Sequence, residues 1–126
     1  MVCLDGDGAT LMQMGNLAIA GCSGAANLVH VVLNNGAHDS VGGQPTLGGQ
    51  IDLTAVARAC GYTAAEPFRG ATAADLAAHL AAAEAAAGGR SRFLEVRVAK
   101  GARADLGRPK ASPRENKAAL MAELGV

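Results

Sequence analysis

Leu28-Val29-His30-Val31-Val32-Leu33, followed at once by Asn34-Asn35-Gly36, is the stretch on which the fold turns. It is continuous, β-branched and apolar on both faces, the pattern of a strand covered on both sides in a parallel sheet. The Asn-Asn-Gly that follows reads as a turn at the strand's carboxyl end. Upstream, Val2-Cys3-Leu4 reads as a second buried strand, ending at Asp5-Gly6-Asp7-Gly8. Between the two, Ala9 to Ala20 carries Leu11, Met12, Met14, Leu17 and Ile19 at loosely helical spacing and is expected to form one helix, with a loop over 21–27.

Downstream, residues 36–50 are rich in Gly, Asn, Ser and Gln and are expected to form a long functional loop. Asp52 is positioned to cap a helix through Arg58 that ends near Gly61. Thr72 and Asp75 resemble a capping box and open an alanine-rich helix to about Ala87, stopped by Gly88-Gly89. Arg92 to Val98 alternates apolar and polar residues, a strand with one wetter face. Ser112, Pro113 and Glu115 supply N-cap, N1 and N3 of a last helix, on which Leu120, Met121 and Leu124 could dock against a neighbour. The order β-α-β-loop-α-α-β-α predicts an α/β fold with a mostly parallel sheet flanked by helices.

Composition narrows the function classes. The 126 residues hold 29 alanines, 17 glycines, two Phe, one Tyr and no Trp, so the core is lean and is expected to lean on a partner surface. Net charge is zero, against a nucleic-acid binder, which needs a basic stripe. The apolar stretch from Leu17 to Leu33 is too short and too polar to cross a membrane. Cys3, Cys22 and Cys60 form no CxxC pair and suit a reduced, cytoplasmic setting. Neither GxGxxG nor a Walker lysine is present, which weakens a nucleotide-binding reading.

Gly6-Asp7-Gly8 and Asn34-Asn35 both fall at carboxyl ends of predicted strands, the edge where open α/β sheets bind ligands. Gly8 and Ala9 can offer backbone N–H groups to an anion at a helix start. Asp7 offers a carboxylate oxygen and an Asn amide a neutral one, a set suited to Mg²⁺ bridging a diphosphate. Taken singly, each segment is as well explained as a tight turn. The 25 residues between Gly8 and Asn34 make the pair more telling than either part.

That spacing resembles the thiamine diphosphate signature. The stretches GDGATLMQMGNLAIAG, NLVHVVLNNGAHDSVGGQPT and LGRPKASPRENKAALM together resemble the cofactor-diphosphate (Pp) domain of the phosphonopyruvate decarboxylase family, over essentially the whole chain. The resemblance implies Mg²⁺ held by the Asp7 carboxylate, the Asn35 side-chain oxygen and the Ala37 carbonyl, with Gly6, Asp7, Gly8, Ala9, Asn35 and Ala37 at the cofactor. It implies non-oxidative decarboxylation of a 2-oxo acid, 3-phosphonopyruvate to phosphonoacetaldehyde and CO₂ being the expected case. Sulfopyruvate decarboxylase, whose loop design is related, is the alternative. A non-catalytic remnant or partner subunit is a further one.

His38 and Asp39, just past the metal turn, are the candidate catalytic pair, contacting substrate or relaying a proton; equally they could be hydrogen-bond partners that fold the loop. His30 is expected to be a satisfied core histidine and His79 a surface one. Arg103, Arg108, Lys110, Arg114 and Lys117 form a basic cluster, as a solvated arm or a phosphonate attractor. In the family the domain begins upstream of GDG, and the activating glutamate lies in a separate Pyr domain. The expectation is therefore one N-terminally partial Pp domain over 1–126, with 101–126 as an arm and helix, working with a Pyr-domain chain or second copy.

Overall fold

The computed structural model describes residues 1–85, 91–107 and 109–125. Four parallel strands form the main sheet: β1 (Val2–Gly6), β2 (Val29–Asn34), β5 (Ala64–Pro67) and β6 (Arg92–Arg97), in spatial order β1-β2-β6-β5. Val2 lies beside Val29 and Gly6 beside Leu33, while Asn34 faces Arg97 across the β2–β6 pair. Because every strand runs the same way, Gly6, Asn34 and Arg97 emerge at one edge.

One face of the sheet is covered by α2 (Gly15–Cys22) and α3 (Leu53–Ala59), where Leu17, Leu53, Ala57 and Tyr62 pack on Val32, Ala65 and Phe93. The opposite face, Val31, Leu94 and Val96, meets Phe68 and then Leu76 and Leu80 of α4 (Ala73–Ala85). Each large apolar side chain buried in this way contributes about 1.5–3 kcal/mol. The alternation of β2 between these two clusters is why it reads as apolar throughout. Asp52 caps α3, its Oδ1 accepting the Ala55 N–H at 2.8 Å. α5 (Pro113–Leu124) opens on a complete capping box between Ser112 and Glu115.

Several expectations need correction. The helix expected over 9–20 is two: α1 (Asp7–Met12) and α2, separated at Gln13-Met14. β1 is an exposed edge strand, not a buried one, with Val2 54% and Leu4 67% accessible. Its outer face lies beyond the reach of α4, which covers β2 and β6. β5 was not expected; Ala64-Ala65-Glu66-Pro67 has no β-branched residue and is a strand because β6 templates it. The loop over 36–50 holds a small antiparallel hairpin, β3 (Ala37–His38) with β4 (Gln44–Pro45), joined through a 3₁₀ turn at Asp39–Val41 and two positive-φ glycines, Gly42 and Gly43. On β6, Glu95 is not on a wet face but is buried at 4%. His79 is half-buried, 3.3 Å from Glu66, with its ring edge-on to Phe68. The helix end near Ala87, the Gly88-Gly89 stop and Arg108 lie outside the described residues. Among the described residues, no helix is long and apolar enough to cross a membrane.

Candidate cofactor site

At the carboxyl edge, the ends of β1, β2 and β6 and the β3–β4 hairpin enclose a cavity of about 560 Å³. Gly6, Asp7, Gly8, Ala9, Asn35, Ala37, His38 and Asp39, the whole set of expected site residues, line it. Leu4, Met12, Leu33, Val41 and Val98 add apolar wall.

Asp7 is the first residue of α1 and is 1% exposed, so it is a rigid, buried carboxylate and not a loop group. Its Oδ2 accepts a hydrogen bond from the Thr46 hydroxyl. Behind it, Thr10 Oγ1 donates to the Gly6 carbonyl at 2.9 Å, and Asp5 Oδ1 accepts the Gly6 N–H at 2.9 Å. These bonds set the turn that aims the first N–H groups of α1, which have no intrahelical partner, toward the cavity. Gly8 is required sterically: a methyl there would overlap the His38 ring, so the imidazole lies directly over the turn.

The two asparagines have different surroundings. Asn34 is 2% exposed and gives its Nδ2 to the Gly48 carbonyl and to Glu95 Oε1, both at 2.7 Å, while its Oδ1 accepts the Gly36 N–H. Glu95 also takes Arg97 Nε at 2.8 Å. Gly48 N–H donates to Thr46 Oγ1 at 3.1 Å, so the 46–48 segment links Asn34 to Asp7. Asn35 faces the cavity; its Oδ1 accepts the Ala37 N–H at 3.0 Å and its Nδ2 donates to Asp39 Oδ2 at 2.8 Å.

Thr46, Gly48, Glu95 and Arg97 were not singled out from sequence as parts of this site, and Asn34 was named only as half of the Asn34-Asn35 turn. The Asn-Asn pair and the Glu-x-Arg spacing on β6 were visible there, but their convergence requires the strand order. His30 is only half satisfied. Its Nδ1 lies 2.9 Å from the Tyr62 hydroxyl, while Nε2 has no hydrogen-bond partner and stands 3.6 Å from Asp5 Oδ2. Burial pulls the His30 pKa below its ordinary value, opposed by the nearby Asp5. Burial, reinforced by Cys3 and Cys60, pushes Tyr62 up to about 12, so it keeps its proton. The basic tail residues do not reach the cavity wall: Arg103 pairs with Asp105 at 3.1 Å, and Lys110, Arg114 and Lys117 are exposed.

Residues 1–96 match the family model described as thiamine pyrophosphate enzyme, C-terminal TPP binding domain. The chain belongs to this family. The TPP binding domain is 47% identical over 115 residues to a phosphonopyruvate decarboxylase of Streptomyces viridochromogenes, covering 91% of this chain and 28% of that protein. A phosphonopyruvate decarboxylase of Streptomyces hygroscopicus is 46% identical with the same coverage. The TPP binding domain thus spans little more than a quarter of the length of these relatives. The β subunit of a sulfopyruvate decarboxylase from Methanothermobacter thermautotrophicus is 42% identical over 62 residues, 49% of this chain and 34% of the subunit. Among solved structures, an enzyme from Mycobacterium smegmatis inferred to depend on thiamin diphosphate superimposes with a TM-score of 0.61 at 23% identity, over 79% of this chain and 18% of that one. This likeness is one of fold.

Proposed function

We propose that this chain supplies the diphosphate- and Mg²⁺-binding half of a thiamine diphosphate-dependent 2-oxo acid decarboxylase, with 3-phosphonopyruvate as substrate and phosphonoacetaldehyde and CO₂ as products. The observation that carries the reading is one cavity lined by Asp7, Asn35 and Ala37, which follow the carboxyl ends of two neighbouring parallel strands, β1 and β2. The donor set fits the ion: a buried carboxylate, an amide oxygen and a carbonyl are hard oxygen ligands, few enough to leave room for phosphate and water on Mg²⁺. When bound, the cofactor supplies the electron sink for loss of CO₂ from a 2-oxo acid.

The chain's own residues do the rest. Gly6, Gly8 and Ala9 present backbone to the diphosphate, and the absence of a side chain at Gly8 makes room for the His38 ring beside it. His38, over the turn, is the group placed to contact the substrate or move a proton. Leu33, Val41 and Val98 form an apolar wall that is exposed in this chain and would exclude water once a partner domain covers it. Support for the phosphonate substrate is the identity over 91% of the chain. The partial match to sulfopyruvate decarboxylase β subunits keeps 3-sulfopyruvate as a second reading. Both substrates carry an anionic tetrahedral head on the same 2-oxo acid.

The reading includes a cytoplasmic, oligomeric enzyme in which a Pyr domain from another chain or a second copy completes the site. Free cysteines Cys3, Cys22 and Cys60 suit a reducing compartment. Exposed Met1, Val2 and Leu4 at the sheet edge, and Leu120 and Leu124 on α5, offer apolar surface for assembly. In this reading residues 1–126 are one Pp-type domain, with 101–126 as its arm and helix.

Equilibrium dialysis of thiamine diphosphate, with and without Mg²⁺ and with and without a Pyr-domain chain, tests the proposal. Mg²⁺-dependent retention supports it; no retention under any of these conditions overturns it. Turnover of phosphonopyruvate against sulfopyruvate by the assembly then decides the substrate.

A further inference from the structure

An asparagine that ligates a cation must present its oxygen, yet its amide has two ends of nearly the same shape. What fixes the end is the partner on the other side. For Asn35 there are two such partners, both on the cavity wall: the Asp39 carboxylate accepts Nδ2 at 2.8 Å and the Ala37 N–H donates to Oδ1 at 3.0 Å, and Asp39 is the one that a side-chain substitution can remove. Asp39 is itself fixed from beyond its own hairpin. The same Oδ2 accepts the Gly101 N–H at 2.6 Å, and Lys100 Nζ donates to the Gly43 carbonyl at 2.5 Å. The segment that follows β6 thus grips the hairpin at two points and sets the carboxylate against the amide.

We propose that Asp39 is a positioning residue that orients the Asn35 amide oxygen toward the divalent cation, rather than a catalytic group acting on substrate. This rests on the Mg²⁺–diphosphate reading of the cavity. An ionised acceptor on a ligand's far side raises the ligand's basicity as well as fixing its direction, and loss of such partners commonly costs about 10–100-fold in metal affinity.

The test is the Mg²⁺ concentration for half-maximal retention of thiamine diphosphate by the assembled enzyme, read by equilibrium dialysis, in a four-member cycle. Asp39→Ala is expected to raise that concentration about ten-fold or more. Asn35→Asp replaces the amide with a carboxylate, which offers oxygen from either end and needs no orienting partner. In that background Asp39→Ala is expected to leave the half-saturating Mg²⁺ unchanged or to lower it, because it removes a like charge. An equal rise in both backgrounds would mark Asp39 as a general prop for the hairpin and overturn the proposal, as would no rise in the parent. Where Asp39→Ala does not fold, Asp39→Asn serves: it keeps an acceptor oxygen without the charge, and an intermediate rise is expected, again only in the Asn35 background. No Mg²⁺-dependent retention by the parent assembly would overturn the cofactor reading and this proposal together. Normal retention with an indifferent Asp39 would overturn this proposal alone.

Discussion

Glu95, buried in the third strand of the sheet order, accepts the Asn34 amide at 2.7 Å, and through it the end of β2 is joined to the Gly48 carbonyl. A charged side chain at 4% exposure is tolerated because two donors, Asn34 Nδ2 and Arg97 Nε, meet one of its oxygens.

Replacing Glu95 by Leu would leave one Nδ2 hydrogen of the buried Asn34 without an acceptor, the other staying on the Gly48 carbonyl. A loss of about 2–3 kcal/mol in unfolding free energy is expected, measured by urea denaturation. Arg97→Ala should cost under about 1 kcal/mol, because the guanidinium is more than half exposed and solvent replaces its role. Equal losses would contradict the assignment of Asn34 as the more important partner.

Asp7→Ala is expected to abolish Mg²⁺-dependent cofactor retention. Because Asp7 is a buried acceptor for Thr46, it should also cost about 1–2 kcal/mol of stability, visible in denaturant unfolding without cofactor. Retained cofactor affinity would remove Asp7 from the metal set.

Two glycine substitutions should separate site from scaffold. A Cβ at Gly48 would overlap Asp7 Oδ2 and come within 2.7 Å of Asn34 Oδ1, whereas one at Gly21 would overlap the Cys60 carbonyl. Each alanine is expected to destabilise by about 1–3 kcal/mol through overpacking. Only Gly48→Ala should also raise the half-saturating Mg²⁺, as dialysis would show.

His30 predicts an acid sensitivity. Its pKa is held below the ordinary 6.5 by burial, so the folded chain keeps the ring neutral while the unfolded chain takes up a proton. As pH falls through about 6.5 the unfolded state binds more protons and stability drops, levelling off only below the folded pKa. His30→Gln should flatten the stability profile between pH 7 and 5.5, measured by urea unfolding at each pH. A slope unchanged in the variant would assign the acid loss elsewhere.

How far the sequence reveals this architecture depends on which force shapes each element. β2 was legible because a strand covered on both faces must be apolar throughout, and α5 because Ser112, Pro113 and Glu115 spell out a cap. That the GDG and Asn-Asn turns share one edge was legible, since parallel strands leave both there; the eight residues named with them from the turns and the family resemblance are among those lining the cavity. β5 was not, because pairing to β6 and not propensity makes it a strand. The hairpin was hidden by strands of two residues, although Gly42-Gly43 was a usable turn signal. The Thr46–Asp7 and Asn34–Glu95 contacts span 39 and 61 residues of sequence, a reach no local pattern encodes.

The open side of β1 bears on when the chain meets its partners as much as on whether it does. Val2, Cys3 and Leu4 present an accessible strand border with Asp5 as the strand's one charged side chain and no proline, little to discourage edge-to-edge joining of copies. Until that border is covered, self-association competes with correct assembly, and its share grows with concentration and waiting time. Co-expression with the complementary domain should therefore yield more usable material than mixing separately purified halves, so the order of synthesis becomes part of the folding problem.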